Sequence, residues 1–261
     1  MAARRASQST IRRAGILDRP GRHTETAPVM ADTPPLKRLR WSHAYRIVPS
    51  RFPPVSVYDR IADPQDLEAL FAIEELTNPR IRDELGTLPL VPKDRRVSGP
   101  GTTPVMAAFT HLNPDGSRFS DGSWGVFYAG HSLITAVEET VYHRERFLAA
   151  TSEPPCDVEM RCYRTSIHAR LHDLRGGWAA EHDPDSYAAS VALARRLRDA
   201  GSDGIVYDSV RHSGGECVAV FYPDCVAPCV QADHLRYCWD GKRIAKVLAV
   251  SELKRGKKHE A

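Results

Sequence analysis

Arg118, Tyr128 and Glu139 follow one another at intervals of 10 and 11 residues, inside the stretches Ser117-Arg118-Phe119-Ser120-Asp121-Gly122-Ser123-Trp124-Gly125-Val126-Phe127-Tyr128-Ala129-Gly130 and Ala136-Val137-Glu138-Glu139-Thr140. A guanidinium fork binds phosphate oxygens in pairs. A phenol offers a ring face and a hydroxyl. A carboxylate stabilises positive charge developing on a sugar carbon. Together the three residue types suit a site that holds a pyrophosphate and acts on the sugar beside it. Periodicity alone does not separate Glu139 from Glu138, because both lie off the apolar stripe Leu133, Val137, Val141 and Leu148. On that ground Glu139 reads as a surface residue able to pair with His143 one turn on, and Tyr128 as a core aromatic.

The elements that must position these side chains are legible from turn chemistry and alternation. Asn113-Pro114-Asp115-Gly116 has the composition of a turn, and Val126–Tyr128 of a short strand. Ser132 is placed to cap a helix of about 15 residues. Residues 157–167 begin as an alternating strand with Val158, Met160 and Cys162 on one face. Asp183-Pro184 opens another helix, which Gly201 ends. Residues 204–207 and 217–221 form a hairpin across the Gly214-Gly215 turn. Upstream, order is expected from Trp41, with a strand at Ala44–Val48, a helix from Asp63-Pro64 to about Thr77, and a strand from Val105 to Leu112. The whole reads as one α/β (α+β) domain over 41–250, a mixed sheet with flanking helices. A disordered basic tail at 1–40 and a basic tail at 251–261 are expected to complete the chain.

Composition bounds the function classes. With 42% apolar and 26% charged residues in 261, the chain is of ordinary globular make-up. No apolar run approaches the roughly 20 residues that span a bilayer. The basic start lacks an apolar signal region, so the cytoplasm is the default, with no membrane partner. The same Arg- and Ser-rich start has some likeness to an organellar transit peptide, and Met30 is an alternative natural start. The arginines near the N-terminus and the lysines near the C-terminus read as solvated ends, not as a sequence-specific nucleic-acid surface. Cys225, Cys229, His234 and Cys238 have spacing compatible with zinc. Cys156, Cys162 and Cys217 lie in apolar or alternating runs, so ordinary thiols and no metal are the favoured reading. There is no G-x-S-x-G elbow, Walker loop or H-E-x-x-H helix.

Four blocks in order resemble one family. Tyr45-Arg46-Ile47-Val48-Pro49, Gly116-Ser117-Arg118-Phe119 with Gly125-Val126-Phe127-Tyr128-Ala129, Ala136-Val137-Glu138-Glu139-Thr140, and Asp203-Gly204-Ile205-Val206-Tyr207-Asp208-Ser209-Val210-Arg211 with Gly214-Gly215 are similar to the RES domain. The resemblance implies a fold like that of ADP-ribosyltransferase toxins and an activity that degrades NAD+, with inorganic phosphate as co-substrate and no bound cofactor. It implies a toxin neutralised by a helix-turn-helix antitoxin of the Xre type, assembled as a homodimer within the toxin–antitoxin complex. By the same resemblance Arg46, Glu139 and Ser209 are the catalytic residues, and Arg118 and Tyr128 bind NAD+.

This chain departs from the family in two places. Ser117 and Ser120 flank the Arg118-Phe119 pair where the family commonly has Gly and Asn. Val137 stands where related protein-modifying transferases carry Glu or Gln. The second departure favours phosphate or water over a protein as acceptor, which leaves NAD+ phosphorylase ahead of NAD+ glycohydrolase and ADP-ribosyltransferase. A catalytically silent, antitoxin-binding co-repressor is the alternative of another class.

Overall fold

The computed structural model describes residues 33–50, 58–60 and 86–251. The expected helix from Asp63 to Thr77 and most of both expected tails fall outside those residues. Strand β1 spans Leu36–Pro49 and starts eight residues before the expected Ala44. Its first half, Leu36-Lys37-Arg38-Leu39-Arg40, is dense in charge, yet Leu39 and Trp41 point inward and are buried. A register shift between Trp41 and Ala44 keeps Ala44 in the same cluster as Leu39 and Trp41, while Ile47 is buried on the opposite face, against the helix Leu133–Ala150.

The stretch from Val105 to Leu112, expected as a strand, is helical for most of its length: α1 is Thr103–Thr110. Pro104 suits a first helical turn. Val105, Met106, Ala108 and Phe109 are all buried, a spacing that fits one face of a helix and not the alternation of a strand. Asp59 accepts hydrogen bonds from the backbone N–H and hydroxyl of Thr103, at 2.9 and 2.7 Å, and so satisfies the helix start.

Strand β2 (Phe127–Gly130) leads into α2 (Leu133–Ala150), where the Ser132 hydroxyl caps Thr135 N–H at 3.2 Å. Strand β3 runs the 18 residues Cys156–Asp173. Helix α3 is Ala188–Asp199, four residues later than Asp183-Pro184 implies, because the Asp183 carboxylate caps a preceding turn through Asp185 and Ser186 N–H. It ends at Gly201 (φ +81°), with Ser202 N–H returning to Leu197 O and Gly201 N–H to Arg198 O. Strands β4 (Gly204–Asp208) and β5 (Glu216–Val220) form the expected hairpin, and β6 (Val230–Trp239) and β7 (Ile244–Val250) close the chain.

These seven strands form one mixed sheet in the order β1-β2-β5-β4-β3-β6-β7, flanked by the helices in an α+β domain. An additional antiparallel pairing of β1 with β3, from Leu36↔His172 to Pro49↔Met160, closes β1, β2, β5, β4 and β3 into a ring. One apolar cluster, with Phe109, Phe127, Tyr163 and Leu171, includes α1; a second lies under α3, and a third joins α2 to Ile47, Met160 and Cys162. All six cysteines are free, and no group of three metal-ligating side chains occurs among the described residues. Cys225 lies beside Arg95, Cys229 is in the core, and His234 faces Gln231. Among the same residues no helix is long and apolar enough to cross a membrane.

Candidate active site

A cleft of about 1120 Å³ is lined by Arg46, Arg118, Tyr128 and Glu139 together, side chains that arrive from four separate stretches of chain. Its size is at the upper end for small-ligand sites. Arg46 projects from β1 and donates from Nη1 to the Tyr128 carbonyl on β2 at 3.3 Å, with its guanidinium carbon 4.8 Å from the Phe127 ring centre. Burial holds its pKa below the ordinary arginine value. The buried Nε has no partner among the described residues, so this cation keeps a directed donor in reserve.

Arg118 is 7% exposed and comes from the turn before β2. Its Nη1 donates to the carbonyls of Glu181 and Asp183 at 3.0 and 2.9 Å, and Tyr187 stacks 4.6 Å from its guanidinium carbon. Nη2 is buried with no partner among the described residues. The Tyr128 hydroxyl meets Ser117 Oγ at 2.8 Å and accepts from Phe119 N–H at 2.9 Å, which ties the Arg118 turn to β2. Burial pushes this phenol up to about 12, so it stays protonated. The departures from the family pattern are therefore absorbed locally: Ser117 binds Tyr128, and Ser120 donates to the Trp124 carbonyl at 2.6 Å.

Helix α2 presents Glu139 to the cleft, whereas Glu138 does not line it. Ser209, just past β4, donates from Oγ to Glu139 Oε1 at 2.6 Å and accepts from the N–H groups of Arg211 and His212 at 3.2 and 3.0 Å. It stands behind the carboxylate and does not itself line the cleft. The thiol of Cys217 on β5 is 4.0 Å from the same carboxylate oxygen; burial, then the Glu139 charge, raises its pKa well above the ordinary thiol value. A further chain runs from Ser132 through Thr135 to His212 Nδ1, at 2.8 and 3.0 Å, and binds the α2 start to the Ser209 loop. Gly215 makes that approach possible: a β-carbon there would lie 2.6 Å from His212 Nδ1 and 2.7 Å from Thr135 Oγ1.

Several cleft residues carry no local sequence signal. Arg161 and Tyr163 on β3 enter through strand pairing, and Tyr187 through the loop before α3. His143, one turn past Glu139, lies exposed at the rim. Desolvation, then the charges of Arg211, Arg146, Arg144 and Arg118, lowers its pKa to about 4, so it is neutral near pH 7. Its i+4 spacing from Glu139 was the one signal available.

The arrangement brings donors for anionic oxygens, on Arg46 and Arg118, into one cleft with the Ser209-braced carboxylate of Glu139. The RES domain model matches residues 93–240, which include Arg118, Tyr128, Glu139 and Ser209; Arg46 lies before the match. The protein y4oC of Sinorhizobium fredii (strain NBRC 101917 / NGR234) is 33% identical over 218 residues, covering 80% of this chain and 87% of its own. Among solved structures, a chain of the M. tuberculosis MbcT–MbcA toxin–antitoxin complex aligns at 11% identity with a TM-score of 0.42, over 77% of this chain and 86% of that one. The family match spans more than half of the chain and holds four of the five site residues: this chain belongs to the RES domain family.

Proposed function

We propose that this chain is an NAD+-degrading toxin that uses inorganic phosphate as acceptor and is neutralised by an Xre-type antitoxin. The observation that carries the reading is the shared cleft, with unpartnered N–H groups on Arg46 and Arg118 and a carboxylate, Glu139, fixed by Ser209. The arginines hold the pyrophosphate of NAD+. As the bond from ribose C1 to nicotinamide breaks, its electron pair leaves with nicotinamide and positive charge builds on the ribose. Glu139 stabilises that charge. A phosphate oxygen then bonds C1, so NAD+ and phosphate become nicotinamide and phosphorylated ADP-ribose. Ser209 is a positioning residue in this scheme, and Tyr128 holds the Arg118 turn while its ring faces the ligand.

Phosphate or water is favoured over a protein acceptor because Val137 is buried between α2 and the sheet, leaving no polar side chain there to orient an acceptor. The catalytically silent reading is disfavoured because Ser117 and Ser120 disturb neither Arg118 nor Tyr128. Chromatography of NAD+ incubated with the protein decides the acceptor. Phosphorylated ADP-ribose formed only in phosphate supports the phosphorylase; ADP-ribose formed at the same rate without phosphate makes it a glycohydrolase. Label bound to a macromolecule makes it a transferase.

A further inference from the structure

Arg144, Arg146 and Arg161 also line the cleft without a task in the proposed NAD+ chemistry, and Arg161 is the one that comes from the strand paired with that of Arg46. On β3 it is opposite Val48 of β1, and Tyr163 is opposite Arg46. Residues two apart on a strand share a face, so Arg46, Tyr163 and Arg161 form one row toward the cleft. Arg161 Nη1 donates to the Tyr163 hydroxyl at 3.4 Å, and among the described residues its buried Nε has no partner, nor does the Nε of Arg46. Among the described residues neither arginine makes an ion pair. Two half-buried cations with idle donors on adjacent strands favour an anion with oxygens to spare.

An anion of that kind is a phosphoryl group, and a phosphate beyond the pyrophosphate can reach this cleft from two sources: the co-substrate of the proposed reaction, or the phosphate on the adenosine ribose of NADP+. We propose that Arg161, held by Tyr163 and flanked by Arg46, is a further phosphate subsite. This rests on the proposed NAD+-degrading activity.

The test compares wild type with Arg161→Gln and Tyr163→Phe; the second keeps the buried ring and removes only the hydroxyl that holds Arg161. Steady-state rates on NAD+ and NADP+, at several inorganic phosphate concentrations, are paired with calorimetric binding of adenosine 2′,5′-bisphosphate and of AMP. Arg161→Gln is expected to lower kcat/KM for NADP+ at least tenfold more than for NAD+, and to weaken the bisphosphate at least tenfold more than AMP. Tyr163→Phe should shift both ratios in the same direction by a smaller factor. If Arg161→Gln instead raises the KM for inorganic phosphate alone, the subsite stands and its phosphate is the free co-substrate. Unchanged ratios together with an unchanged phosphate KM overturn the proposal. If wild type consumes neither dinucleotide, the NAD+ reading falls, and the bisphosphate-to-AMP binding ratio still decides the subsite.

Discussion

At the scale of single residues, the division of labour between Glu139 and Ser209 carries the chemistry. Ser209 spends its hydroxyl on Glu139 Oε1 and on two backbone N–H groups, so it acts on substrate only through the carboxylate. Replacing Glu139 with Gln should cost about 10²–10³ in kcat, the scale of losing one group aimed at transition-state charge. Ser209→Ala should lower kcat less, with little change in KM for NAD+; steady-state kinetics check both. His143 yields a separate expectation. Because partial desolvation at the cleft rim, then the charges of the surrounding arginines, favours its neutral form, its NMR titration should stay flat from pH 7.5 to 5.5 and show a midpoint near 4. Arg211→Gln, which removes one nearby charge, should move that midpoint upward. The choice between Glu138 and Glu139 was not legible from spacing, since both leave the apolar stripe; it depends on Ser209, 70 residues away.

At the scale of elements, the site depends on how α2 meets the β4–β5 turn. Gly215→Ala puts a methyl 2.6 Å from His212 Nδ1 and 2.7 Å from Thr135 Oγ1. It should destabilise by about 1–3 kcal/mol through overpacking and lower kcat by displacing Ser209. Denaturation read beside kinetics separates the two effects. Asp173 at the end of β3 is buried and accepts from Arg175 N–H, Nε and Nη2, with Lys37 Nζ at 2.8 Å. These partners, Arg175 first, hold its pKa well below the ordinary carboxylate value, so its contribution is present above about pH 4. It is lost as pH falls further. Asp173→Asn should cost about 3 kcal/mol at pH 7 and much less at low pH, as urea titrations at both pH values would show. Local signals served where capping set the boundary, as with Ser132 and Gly201. They failed where tertiary contact set it: Asp59 receives Thr103 at the start of α1, and the charged first half of β1 is a strand only because β3 pairs with it.

At the scale of the whole molecule, the cleft exists because β1 pairs with both β3 and β2, which closes the sheet and brings Arg46 to Tyr128 across 82 residues of sequence. Residue types and order were legible without a structure, and so were the helix and strand that carry Glu139 and Tyr128. The closure was not, nor were Arg161 and Tyr163, because strand pairing at long range leaves no mark on local periodicity. A cleft with more arginines than carboxylates should bind its anionic substrate in a salt-dependent way, so KM for NAD+ should rise with ionic strength. The most direct measurement is nicotinamide release from NAD+ by the purified, antitoxin-free protein in phosphate buffer, beside the Glu139→Gln variant shown by circular dichroism to be folded. The expected result is stoichiometric loss of NAD+ with nicotinamide release by the wild type, reduced at least about 10²-fold in the variant. Intact NAD+ after prolonged incubation with folded wild type, or equal consumption by the variant, would contradict the assignment.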